Sequence, residues 1–474
     1  MVFLKIKRKL LFIFLLLYGA ILSYSQNINS YSINSNFDSV NNVLDITQEI
    51  IFYNKDLNKL NEIYLNDWSY SYSSTETPLA QRLAEEYDRS FYFSKKSKRG
   101  TTIIHRISNN INEELKWERL KDQKDILKIH LKKSIQNKDS VLLKLNYSVK
   151  IPDSKFTGYG IRDKNNIYLK DWFISICPII NSKWILNSNL NLEEVSRLPS
   201  NYKIIWTLPS SFSIQSNMIK KTVNTINSSK EVVFVGNKLK DVQFHLLTLS
   251  KYKKIKINKS IFISDLNTLN LNNKQVLKNY KQIDSFITSK LGPFPHKKML
   301  LSKIEYNKNP NYGLTLLPSY LSPYKDSFYH ELTVLKVYLT HYLNERLLID
   351  PRLNYWVFEG VLTYFIINYV DTFYPEQKFL GKVLEIPLIK TLIKNYNLSK
   401  MSYNDGFLES YEFMLRMNNH QSAITSKDKL LKFNSEISSP AQIGVGLKFL
   451  EEYIGLAEIQ NSIKNLLDKK IDRN

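Results

Sequence analysis

The stretch Tyr355-Trp356-Val357-Phe358-Glu359-Gly360-Val361-Leu362-Thr363-Tyr364 opens a predicted helix over 355–370, and its single carboxylate lies near the helix N-terminus, where a negative charge complements the helix dipole. Working outward, a predicted helix over 328–347 precedes it and contains Val337-Tyr338-Leu339-Thr340-His341. Further upstream stand Tyr312-Gly313-Leu314-Thr315-Leu316-Leu317-Pro318 and a helix over 273–291 stopped by Gly292 and Pro293, within Leu291-Gly292-Pro293-Phe294-Pro295-His296. Short strands are expected at 232–235, 260–263 and 299–305, and further helices at 379–395, 406–417, 428–434 and 441–453. Residues 36–202 read differently. Alternating apolar and polar residues over 43–53, 144–151, 167–172 and, at its end, 203–208 indicate antiparallel strands, with a short helix near 79–87. Strands first and helices afterwards indicate a multidomain α+β chain, and no fixed-period repeat points to a solenoid or propeller.

The ordered set of four stretches resembles the membrane alanyl aminopeptidase family, gluzincins in which an N-terminal β saddle precedes a thermolysin-like catalytic domain. There, a helix ends in LG-x-(Y/F)-P, a strand carries G-x-M-E-N, a helix carries H-E-x-x-H, and the next helix begins W-L-x-E-G. The resemblance implies an N-terminal antiparallel β saddle or sandwich over 26–202, a thermolysin-like α+β domain over 203–455 that is mostly helical at its C-terminal end, and a tail over 456–474. Two histidines four apart on one helical face can share a zinc ion, the intervening glutamate activates its water, and a carboxylate from the next helix completes the site. That third ligand corresponds to Glu359.

The departures from the pattern concern the chemistry. With His341 as the second histidine, the first falls on Val337 and the catalytic glutamate on Tyr338. The family's gap of nineteen residues back from Glu359 lands instead on Thr340. His330 cannot substitute: it lies eleven residues before His341, about 16 Å along a helix, far beyond the roughly 4 Å allowed between two ligands of one zinc ion. His330 is therefore expected to be a solvated residue near a helix N-terminus, His341 a core or boundary histidine, and Glu359 a dipole-complementing carboxylate. The glutamate of G-x-M-E-N, which in the family holds the substrate's amino group, is replaced by an apolar residue within Gly313-Leu314-Thr315-Leu316-Leu317. His341 and Glu359 remain as vestiges of a metal site, and Gly313, Leu316 and Tyr411 as candidates for the cleft. Tyr403 and Tyr411 lie near the position of the family's transition-state tyrosine.

At the N-terminus, Lys5, Lys7, Arg8 and Lys9 precede the apolar run of residues 10–22, followed by Ser23 and Ser25. This is the pattern of a signal peptide over 1–25, cut before Gln26; the run is too short for a spanning helix of about 20 residues. Export to the periplasm, the outer surface or the medium is expected, and no transmembrane helix in the mature form. The formal charge of +22 falls to +18 once those four cations are removed. The cations are scattered, with local clusters at 95–99 and 251–259 in expected loops or strand edges, so nucleic acid is excluded as a partner. The lone Cys177 permits no disulfide and reads as a small buried hydrophobe, while Glu85-Glu86 and Glu451-Glu452 read as solvated charge. No G-x-S-x-G, P-loop or dinucleotide fingerprint is present.

The function expected is that of an exported, aminopeptidase-like protein that has lost catalysis and acts by binding a peptide or a protein, with no cofactor. One alternative is an active zinc metallopeptidase with a non-standard metal site; another is a structural protein of the cell envelope, its 13 percent aromatic residues serving packing alone.

Overall fold

The computed structural model describes residues 28–55, 57–266, 270–317, 322–385 and 399–468. The leader expected over 1–25 and most of the helix expected over 379–395 lie outside them. An antiparallel β-rich domain is followed by a helical one, as the fold class requires.

Seven strands form the principal sheet: β1 (Ser30–Asp38), β2 (Val43–Tyr53), β3 (Thr101–Ser108), β4 (Ser140–Lys150), β5 (Ser200–Pro209), β6 (Ile219–Ile226) and β7 (Ser229–Leu239). Their order is β6-β7-β5-β1-β2-β4-β3, antiparallel throughout except where β5 runs parallel to β1. Strict alternation makes these strands: in β2 the residues Leu44, Ile46, Gln48, Ile50 and Phe52 are buried and those between them exposed. Two four-stranded sheets accompany it. One holds Lys59–Asn66 and Ile126–Gln136, the other Asn166–Lys170 and Gln243–Leu247. Trp172, Trp206 and Phe244 pack between the layers. The boundary expected at 202 falls inside β5, and the strand expected at 232–235 lies in β7, so the β domain runs on to Leu247.

The second domain opens with a small sheet of Lys253–Ile257, Ser260–Ser264 and Lys298–Leu301. Counting the isolated Pro78–Glu85 as α1, its helices are α2 (Asn273–Leu291), α3 (Lys303–Lys308), α4 (Asp326–Arg346), α5 (Tyr355–Phe373), α6 (Asp405–Arg416), α7 (Ser439–Ile454) and α8 (Leu456–Leu467). Asn272 and Gln275 close a capping box at the start of α2, and Gly292 ends it at φ 87°. A second capping box, Ser302 with Glu305, starts α3. The strand expected over 299–305 therefore stops at Leu301, and Glu305 sits on a helix. The segment 456–474 is not a tail as far as it is described: α8 buries Ile459, Ile463 and Leu467 in the helical core. Residues 428–434, expected as a helix, form a 3-10 turn over Lys427–Lys429 and enter a π-turn at Asn434–Ser438. Among the described residues no helix is long and apolar enough to cross a membrane.

Helices α5 and α7 approach closely because glycine lies on both sides of the contact. A Cβ on Gly360 would overlap the Ile443 side chain, and one on Gly444 would meet Thr363. The Tyr364 hydroxyl donates to Glu451 across the same interface, so Glu451 is a packing contact rather than a solvated charge. Gly360→Ala is expected to cost about 1–3 kcal/mol through overpacking, read as a lower urea midpoint and partly restored by Ile443→Ala.

His245 is fully buried in the strand Gln243–Leu247, with Nδ1 2.6 Å from the Tyr252 hydroxyl. Burial pushes its pKa down to about 4. The unfolded chain takes up this proton first, so the native state is favoured fully above about pH 6.5 and loses up to about 3 kcal/mol as the pH falls toward 4. Urea unfolding across that range should show the loss, and His245→Asn should make it shallower.

Candidate functional site

A cleft of about 490 Å³ lies between the β domain and the helices, lined by Lys170, Glu193 and Asp241 on one side and by Glu305, Tyr355, Phe358 and Glu359 on the other. It is densely ionic, and its charges are matched from within. Asn191 and Glu193 hold left-handed backbone at φ 59° and 55°, a conformation that costs roughly 1–2 kcal/mol for a residue with a side chain. Two cations secure Glu193 there: Lys170 Nζ at 3.3 Å and Lys308 Nζ at 3.2 Å. Burial alone would raise the Glu193 pKa, but these lysines hold it below the ordinary range. The neighbouring Glu194 is buried with Arg352, 2.6 Å between Oε1 and Nη2. Lys427 packs 4.1 Å over the Tyr355 ring and donates to the Leu192 carbonyl.

Glu359 stands one turn into α5, buried rather than solvated. Its Oε1 accepts from Asn309 Nδ2 at 2.8 Å, and its Oε2 lies 3.3 Å from the Lys336 ammonium on α4. It is thus one half of a buried ion pair, not the dipole-complementing carboxylate expected. Lys336 is the residue to which the nineteen-residue count leads once it is carried four further back from Thr340. Thr340 turns its hydroxyl onto its own helix, donating to the Lys336 carbonyl at 2.9 Å, and Val337 is apolar. An ammonium beside Glu359, with no imidazole at either helix position, does not fit zinc held as the resemblance implies.

His341 points elsewhere, and so Glu359 and His341 do not share a site. Its Nε2 is 3.0 Å from Glu305 Oε1. Glu305 also accepts from Gln243 Nε2 at 2.8 Å, and the same amide donates to Asp241 Oδ2 at 2.6 Å. Burial would raise the Glu305 pKa, but His341 and these hydrogen bonds draw it down to about 2. Burial opposes protonation of His341, yet Glu305 raises its pKa above the ordinary value. One turn further on, Glu345 accepts from the backbone amides of Lys240 and Asp241 and lies 2.9 Å from His296 Nε2. Lys240 Nζ donates in turn to the Leu347 carbonyl.

The other expected residues are dispersed. His330 is buried, not solvated, with Nε2 2.9 Å from the Leu266 carbonyl and Nδ1 against the Asn279 amide. Gly313, at φ 88°, begins a 3-10 turn over Leu314–Leu316 instead of a strand, and Leu316 is 53% exposed. Neither belongs to the cleft lining, where Tyr312 takes the place. Tyr411 on α6 accepts from Gln442 at 3.3 Å and meets the His420 ring edge to face, outside that lining. Tyr403 is buried among Tyr324, Phe328 and Phe407. Cys177 is fully buried, its thiol pushed up by burial, in keeping with a small hydrophobe. Sequence reasoning missed Asp241, Glu305 and Lys336; the capping box at Ser302 and the shifted count at Lys336 were the available signals.

No family model and no curated protein matches the chain. Solved structures do. An M1 zinc metallopeptidase from Deinococcus radiodurans, as a point mutant, aligns with a TM-score of 0.53 at 10% identity, covering 93% of this chain and 86% of that one. The same enzyme without the mutation, and the mutant bound to a Tyr-Ser-Ala substrate, each align at 0.52 over the same shares and at the same identity. The fold is that of the M1 zinc metallopeptidases. At this identity the likeness is one of fold, and function has to be argued from the site.

The Lys336–Glu359 pair joins α4 to α5 in the interior of the helical domain. Breaking a buried pair leaves an uncompensated charge and costs about 3–5 kcal/mol, whereas replacing both partners with apolar residues is close to neutral. Lys336→Ala and Glu359→Leu should each lower the unfolding free energy by that amount in urea titrations. The double variant Lys336→Met, Glu359→Leu should recover most of the loss.

Proposed function

We propose that this chain is an exported protein with a metallopeptidase fold that has kept the interdomain cleft, given up zinc-dependent hydrolysis, and binds a peptide or an extended protein segment there. The observation that carries the reading is the Lys336 ammonium 3.3 Å from Glu359. A fixed cation held by the chain neutralises the carboxylate that the resemblance makes a zinc ligand, and it neither carries nor activates a water. The amine-anchoring glutamate of the family signature is also missing, with Leu316 in its place and turned to solvent. The cleft volume falls within the roughly 300–1,000 Å³ of small-ligand sites, and Tyr312, Tyr355 and Phe358 add aromatic surface to its charges. The tripeptide bound by the Deinococcus enzyme suggests the ligand class. Export rests on the leader at 1–25.

A second reading, an active peptidase with a different metal site, is favoured by the grouping of Asp241, Glu305 and His341 at the cleft wall. Titration of the mature chain with unblocked tripeptides, beginning with Tyr-Ser-Ala, separates the two when run alongside an assay for release of the N-terminal residue in added zinc. Saturable binding without release is expected. Release that a chelator abolishes would replace the first reading with the second, and absence of binding would remove the peptide as ligand.

A further inference from the structure

Three separate segments bring Asp241, Glu305 and His341 together: the turn after β7, the first turn of α3, and the last third of α4. One donor atom from each lies within 4.8 Å of the other two. Asp241 and His341 are 3% and 5% exposed, and Asp241 and Glu305 face the cleft.

Several polar atoms here are left without hydrogen bonds. Asp241 Oδ1 and His341 Nε2 are both buried and make no hydrogen bond, although Arg197 Nη2 lies 3.6 Å from the first and Glu305 Oε1 3.0 Å from the second. Glu305 Oε1, although 3.0 Å from that nitrogen, does not lie along the direction in which an N–H would point. Gln243 Oε1 and two nitrogens of Arg197 are buried and unpartnered beside them. Orphaned buried groups are rare in folded proteins, and each calls for a water, an ion or a functional reason. A cluster of them around two carboxylates and an imidazole is a concentrated case. The Gln243 amide nitrogen lies 2.6 Å from Asp241 Oδ2 and 2.8 Å from Glu305 Oε1, so the two carboxylates converge on one point that a weak neutral donor now holds.

We infer that Asp241, Glu305 and His341 form a binding site for a divalent cation of the zinc type, set apart from the Lys336–Glu359 position and open to the cleft. Two carboxylates offset the ion's charge. One imidazole and two carboxylate oxygens form a donor set that zinc accepts, at about 2.0–2.2 Å from the metal, with a further position left for water or a ligand. Contraction from the present spacing is modest, because the imidazole nitrogen and Glu305 Oε1 are already at the 3.0 Å separation of two ligands on one ion. Displacement of the Gln243 amide from between the carboxylates completes the change. Arg197 lies 3.6 Å from Asp241 Oδ1 but is also paired with Asp171. It competes with the ion for Asp241 and sets a limit on affinity without filling the site.

The test is calorimetric titration of the chelator-stripped mature chain with Zn²⁺ alone, paired with Co²⁺ substitution to record the visible d–d bands of the bound ion. One equivalent of zinc is expected. Outer-shell changes weaken metal sites by about 10–100-fold, so loss of a ligand in His341→Ala or Glu305→Gln should cost at least about 100-fold and alter the Co²⁺ bands. The double variant Lys336→Met, Glu359→Leu should bind zinc like the unmodified chain. Circular dichroism and melting of the metal-free variants identify any that fail to fold, and Asp241→Asn, which keeps shape and hydrogen bonding, carries the test if His341→Ala is one of them. Failure to bind zinc overturns the inference, as does binding that survives these substitutions but disappears in the double variant. Peptide binding is measured separately, so either proposal can fall without the other.

Discussion

A carboxylate fixed inside the helical domain has to be neutralised, and the structure around the cleft follows from how this is done. Glu359 is buried on α5 beside Gly360, whose lack of a side chain lets that helix pack against Ile443 of α7. Its neutralising charge comes from α4, through Lys336. A metal ion would require further ligands converging on one point; an ammonium requires only a side chain of suitable reach and a few acceptors. Thr340 gives its hydroxyl to the Lys336 carbonyl and Val337 is apolar, so between these two helices the carboxylate is met by an ammonium.

The same principle extends across the cleft. Glu193 is held by two lysines, Glu194 by Arg352, and Glu345 by His296 together with two backbone amides. Several of these contacts join the β domain to the helical one: Lys308 and Arg352 reach into the loop around 188–194, and Glu345 caps the turn at 240–241. In low dielectric each pair is costly to break and gains little over an apolar replacement. Their number along a single cleft therefore says more about geometry than about stability. They fix the separation of the domains, and with it the shape of the space between them. The group of Asp241, Glu305 and His341 differs from the rest because it retains buried atoms that make no hydrogen bond.

The fold was largely legible in the sequence. The alternation in residues 43–53, the helix of 273–291 with its Gly292 stop, and the long helices around 328–347 and 355–370 are local patterns, set by side-chain period and by capping, and all appear close to the expected bounds. Elements that depended on long-range pairing were less legible. The extension of the β domain past 202 follows from the parallel partnership of β5 with β1, about 170 residues away in sequence, which no local window contains.

Sequence alone determined that residues 336–341 and 359 cannot assemble two histidines and a glutamate, because the identities at those positions exclude it whatever the packing. Only the tertiary structure decided what replaced them. Whether Lys336 faces Glu359, whether Glu305 begins a helix and meets His341, and whether Asp241 arrives from the other domain depend on how helices and sheets are placed against one another, and that placement is set by burial of the whole core. Charge compensation in an interior is a property of neighbours in space, and neighbours in space are what a linear sequence does not list.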